Sequence, residues 1–66
     1  MDPKSIGERL VNLRGDKSQI VVANDLGISV SALSMYENGN RIPRDEIKCR
    51  IAAYYGKSIQ EIFFAA

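Results

Sequence analysis

The stretch SQIVVANDLGISVSALSMYENGNRIPR, residues 18–44, contains two short periodic segments separated by Gly27-Ile28-Ser29 and closed by a basic, proline-bearing tail. Ser18 is placed to cap a helix over residues 19–26, whose inward arc at helical spacing is Val22, Ala23 and Leu26. Gly27 supplies the left-handed residue that ends this helix, and Ile28 turns into the core. Ser29 caps the following helix, which ends near Asn38-Gly39. Taken alone, "QIVVA" would also suit the start of a strand; the serine before it and the glycine after Leu26 select helix.

On a wheel of about 100° per residue, Val30, Ser31, Ser34 and Met35 share one arc of the second helix, while Ala32, Leu33 and Tyr36 take the opposite, buried one. The outer arc carries no charge, yet it directly precedes the densest cluster of Asn and Arg in the chain. Two helices joined by a glycine, an apolar residue and a serine form the connection that sets the crossing angle of a helix-turn-helix.

Outward from this pair, punctuation divides the rest of the chain into three more helices. Asp2-Pro3 reads as an N-cap followed by proline at the first helical position, and the helix runs to about Leu13 with Ile6, Leu10 and Leu13 inward. Arg14-Gly15-Asp16-Lys17 makes a tight turn. After Pro43, residues 44–55 form a helix with Ile47, Ile51 and Tyr54 or Tyr55 inward, ended by Gly56. Ser58-Ile59-Gln60-Glu61 is a capping-box pattern, and the short helix behind it carries Ile59, Ile62 and Phe63. No segment reads as a strand, a repeat or a linker, so residues 1–66 are expected to form a single all-α, five-helix domain.

Composition narrows the function. A net charge of +1 predicts no polyanion partner by itself, so any such partner must be argued from where the charges sit. With no histidine and one cysteine, Cys49, neither a metal site nor a Ser-His or Cys-His pair can be drawn, and there is no disulfide. Asp45 and Glu46 are adjacent on a helix and diverge by about 100°, where first-turn acids are expected anyway. No Gly-rich phosphate loop is present either, so an enzyme is not expected, and no cofactor is implied. The lone thiol, the lack of an apolar run of about 18 residues and the lack of a signal-type N-terminus point to the cytoplasm and to no membrane partner. Cys49 falls on the outer side of its helix and is expected to be inert.

The stretch from Ser18 to Phe63, about two-thirds of the chain, resembles the Cro/cI-type (XRE) helix-turn-helix family of transcription regulators. "SQ" before the first helix of the pair, "A..LGIS" through the turn, "S.YENG" closing the second, "R.PR" after it and "S..EIF" near the end stand in the family's order and spacing. The resemblance implies a compact lambda-repressor-like fold, usually dimeric, that lays its third helix in the major groove of double-stranded DNA. By position, Val30, Ser31, Ser34 and Met35 look like the base-facing residues, and Gln19, Ser29, Asn38, Asn40, Arg41 and Arg44 like the phosphate-facing ones. The chemistry agrees: uncharged side chains read base edges and thymine methyl groups, while amides, guanidinium groups and helix N-termini hold phosphates. The implied role is a regulator, of repressor type, that binds a palindromic operator as a homodimer. An ordinary solvated helix face and a turn rich in turn-formers are the plainer alternatives for these two residue groups.

Two features depart from the commoner family pattern. The first turn is about two residues shorter than in many relatives, which bears on where Arg9 and Arg14 lie, and "QIVVA" stands where many relatives carry acidic residues. Ile20 and Val21 fall outside the inner arc and are expected to be at least partly exposed. They read either as tolerated surface apolarity or as a contact, with the thymine-sugar rim of DNA or with a protein partner, the latter in an antitoxin-like or adaptor module of the same fold. Glu37 reads as structural, pairing with a basic side chain or capping locally. Ile59, Phe63 and Phe64 are the candidate dimer contacts; adjacent phenylalanines cannot both face one core, so one is expected outside.

Overall fold

Side-chain caps start four of the five helices. In the computed structural model, which describes residues 1–65, these are α1 (Pro3–Arg14), α2 (Gln19–Leu26), α3 (Val30–Glu37), α4 (Asp45–Tyr55) and α5 (Ile59–Phe63), with no strand among the described residues. The Asp2 carboxylate accepts from the Lys4 N–H at 3.2 Å, the Ser18 hydroxyl from Val21 at 3.1 Å and the Ser29 hydroxyl from Ala32 at 3.0 Å. At α5 the capping box is complete: Ser58 accepts from the Glu61 N–H at 3.0 Å and the Glu61 carboxylate from the Ser58 N–H at 2.9 Å. Each cap satisfies backbone donors that the helix itself leaves without partners.

α4 is the exception. Arg44, expected inside the helix, is its extended N-cap and gives it no side-chain hydrogen bond. Asp45 and Glu46 in the first turn complement the positive end of the helix instead. At its far end α1 runs one residue past Leu13, to Arg14.

The helix-turn-helix pair is closed by Gly27 at φ 72°, a conformation that a side chain disfavours. Its N–H donates to the Asn24 carbonyl, and the Ile28 N–H to that of Ala23. Gly39 repeats the arrangement after α3, with the Asn40 N–H donating to the Met35 carbonyl at 2.9 Å. These paired bonds make the ends of α2 and α3 sharp stops.

The core takes Ile6 and Leu10 from α1, Val22, Ala23 and Leu26 from α2, Leu33 and Tyr36 from α3, Ile47, Ile51 and Ala52 from α4, and Ile62 and Phe63 from α5. Ile28 and Leu13 are only partly buried at its margin, as are both Tyr54 and Tyr55, whose rings meet edge to face at 5.0 Å. Two features lie outside the sequence expectations. Gly7 is buried where α1 crosses α3, and a Cβ there would run into the carbonyl groups of Glu37 and Tyr36. Lys48 is buried, its ammonium 3.5 Å from Asp45 Oδ1 and 5.9 and 5.4 Å from the ring centroids of Phe63 and Phe64.

Candidate nucleic-acid interface

One carboxylate fixes how α3 sits against α1 and α2. Glu37, the last residue of α3, has a side chain only 1% exposed. Arg14 Nε donates to its Oε2 at 2.7 Å and Nη2 to its Oε1 at 3.1 Å, while Gln19 Nε2 reaches Oε1 at 2.8 Å. Arg14 Nη1 also donates to the Lys17 carbonyl at 2.6 Å. The end of α1, the turn after it, the first residue of α2 and the last of α3 therefore meet at a single anion. This two-pronged pairing raises the Arg14 pKa further above its ordinary value, against the opposing effect of desolvation. Glu37 is thus structural, and Arg14, the last residue of α1, is turned inward to it.

Beside this network the Tyr55 hydroxyl is buried with no hydrogen-bond partner among the described residues. Burial is the main reason its pKa is pushed up to about 12, with the Glu37 charge adding to it.

The network leaves one face of α3 free. Val30 and Met35 are each 39% exposed, Ser31 is exposed and Ser34 half-buried, and none is charged. Leu33 and Tyr36 are buried and Ala32 half-buried, as the wheel predicts. The Ser34 hydroxyl accepts from Asn38 Nδ2 at 3.3 Å, so the end of the arc and the start of the following loop are already linked.

Asn38, Asn40, Arg41 and Arg44 are all exposed, and neither arginine is in an ion pair among the described residues. Ser29 is exposed; its oxygen caps α3, which leaves its O–H proton to donate outward. Gln19 is half-buried and held by Glu37, with the second proton of its amide uncommitted. The arrangement presents an uncharged helix face with amides and guanidinium groups at one end.

Of the candidate dimer contacts, Phe63 is corrected: at 1% exposed its ring belongs to the core and cannot meet a second copy. Phe64 is 50% exposed and Ile59 half-buried. Ile20 and Val21, at 69% and 49%, are exposed, as is Cys49. Arg9 donates to the Ile62 carbonyl at 2.6 Å and to that of Ala65 at 3.0 Å, tying α1 to the end of α5. No local signal marks these partners of Arg9, Arg14 and Gln19. They are long-range contacts created by the helix crossings.

The helix-turn-helix family model matches residues 9–62, which takes the likeness back from Ser18 into α1. No curated protein matches the chain. The chain belongs to the Cro/cI-type, or XRE, helix-turn-helix family of DNA-binding regulators. No helix among the described residues is long and apolar enough to cross a membrane.

Proposed function

We propose that this helix-turn-helix regulator is a cytoplasmic repressor that binds a palindromic operator as a homodimer, with α3 in the major groove. The observation that carries the reading is the uncharged arc of exposed Val30, Ser31 and Met35 with half-buried Ser34, beside exposed Arg41 and Arg44, neither in an ion pair among the described residues. Val30 and Met35 pack on thymine methyl groups, and the serine hydroxyls bond to base edges. Gln19, Ser29, Asn38, Asn40, Arg41 and Arg44 hold phosphates. Because no Arg, Asn or Gln lies in the arc, bidentate base pairings worth about 1–3 kcal/mol each are missing, and part of the discrimination comes from DNA shape. Phe64 and Ile59 are the dimer contacts. Two copies then place their recognition helices about 34 Å apart, one turn of the duplex.

Exposed Ile20 and Val21 favour a second reading, a protein-interaction module of the same fold. Selection from a random pool of double-stranded DNA separates the two. Recovery of a palindrome with half-sites one turn apart supports the repressor reading; no enrichment from folded protein, together with a stoichiometric protein partner, supports the other. On the recovered site, Arg41→Ala is expected to weaken all sequences about equally, whereas Met35→Ala is expected to shift preference among them. Equal losses on every sequence from Met35→Ala would remove Met35 from base reading.

A further inference from the structure

We infer that Lys4, in the first turn of α1, is an additional phosphate-binding residue of this interface, an inference that rests on the DNA-binding reading above. The first turn of α1 packs directly on the turn that follows α3. A Cβ built on Gly39 would lie 3.1 Å from the Lys4 Cα, 3.2 Å from its Cγ and 3.2 Å from its N. Gly39 is therefore glycine for two reasons, its φ of 76° and the close approach of Lys4. Its neighbours Asn38 and Asn40, with Arg41 next, are the residues proposed to grip the DNA backbone.

The stem of Lys4 thus leaves α1 over this turn, and the residue is exposed. No carboxylate among the described residues pairs with its ammonium. The anion-binding group here is the ammonium and not the helix end, because the N-terminus of α1 is filled by Asp2, which accepts from the Lys4 N–H at 3.2 Å and the Ser5 hydroxyl at 2.7 Å. The acids near Lys4 in sequence, Asp2 at the N-cap and Glu8 on α1, are both exposed to solvent screening. Beside Arg41 and Arg44 of the loop, which are in no ion pair among the described residues, Lys4 adds a third cation on a different element, which fixes the orientation of α1 relative to the duplex as well as adding affinity.

The test measures DNA affinity of the full chain against salt for wild type, Lys4→Gln, Lys4→Arg and Arg41→Gln, on the duplex recovered by selection and on a mixed-sequence duplex. Lys4→Gln is expected to lower the slope of log affinity against log salt by about 0.9 per subunit. For a dimer, wild type then loses about 12-fold more affinity than the variant between roughly 50 and 200 mM salt. The ranking of sites is expected to stay the same, and Lys4→Arg to keep the wild-type slope. Circular dichroism melting shows that each variant is folded. If Lys4→Gln keeps the full slope while Arg41→Gln lowers it, Lys4 touches no phosphate and the DNA-binding reading stands. A slope lost equally in Lys4→Arg would assign the effect to packing on Gly39 and overturn the proposal. If wild type binds neither duplex, the functional reading fails and Lys4 falls with it.

Discussion

Replacing Gly7 with alanine sets two effects of opposite sign against each other. In a helix interior, alanine is favoured over glycine by about 1 kcal/mol, so local propensity predicts stabilisation. At the α1–α3 crossing the added methyl would meet the Glu37 carbonyl oxygen well inside contact distance, with the Glu37 carbonyl carbon at 2.9 Å and the Tyr36 oxygen at 3.0 Å. All three are backbone atoms, so no side chain can swing aside. The helices would have to separate by roughly 1 Å to restore ordinary contact. That shift also loosens the Arg14–Glu37 pair and the seat of Lys4 on Gly39, so the overpacking cost lies at or above the top of the usual range of about 1–3 kcal/mol. The net expectation is a loss of about 2 kcal/mol, which in a domain of this size lowers Tm by roughly 15 °C. Gly56→Ala is the matched control: no atom of the described residues lies within 4 Å of a Cβ there, and φ is 66°, so it reports the left-handed backbone alone. Its cost is expected to be about 1–2 kcal/mol. Urea unfolding with a check that m is unchanged gives both values. A Gly7→Ala variant as stable as wild type, or more stable, would refute the claim that glycine is required for the α1–α3 approach.

Glu37→Ala leaves three donor groups, on Arg14 and Gln19, without their buried acceptor. Because Arg14 retains 19% exposure and can reach water, the loss is expected at about 2–3 kcal/mol, below the full range for a broken buried pair. The double variant Arg14→Met, Glu37→Met is expected to recover most of it; a urea midpoint for Glu37→Ala within error of wild type would mean that the pair does not hold the helices. Acid stability has a definite sign as well. The backbone and side-chain hydrogen bonds of Ser58 hold the Glu61 carboxyl below its ordinary 4.5, and Ser5 and the Lys4 N–H hold Asp2 below 3.8. Both caps therefore contribute stability above those values that fades as pH falls through the lower folded ones. Glu61→Gln keeps an acceptor in the box but does not titrate, so its urea midpoint is expected to fall less than that of wild type between pH 6 and pH 3; identical declines would discard the capping box as an acid-sensitive element.

The caps and stops were legible because they are local. Asp2, Ser18, Ser29 and Ser58 each bond to an N–H two or three residues ahead, and Gly27 and Gly56 each end a helix within their own turn. The α4 boundary slipped by one residue because Arg44 makes no such bond. Periodicity also divided α3 correctly into buried and exposed arcs. What periodicity could not reveal is what a helix crossing brings together. Gly7 reads as an ordinary helical glycine until α3 lies across it, and a wheel gives Lys48 no reason to be buried between Asp45 and two phenylalanine rings. Adjacent Phe63 and Phe64 were separable in principle, but which one enters the core depends on how α5 meets α4.

The polar contacts of α3 divide its residues into those with structural commitments and those without. Ser29 caps it, Leu33 and Tyr36 bury it, Glu37 ties it to two other helices, and Ser34 accepts from Asn38. Val30, Ser31 and Met35 make no side-chain hydrogen bond and stay exposed among the described residues. Under the proposed function, these three can change without disturbing the fold, so the operator preference of this domain is adjustable there at little cost in stability. Ser34 is different. A substitution at that position also releases the Asn38 amide, which stands at the start of the loop proposed to hold phosphate. Its effects on sequence preference and on overall affinity are therefore coupled, whereas those at Met35 and Arg41 are separable.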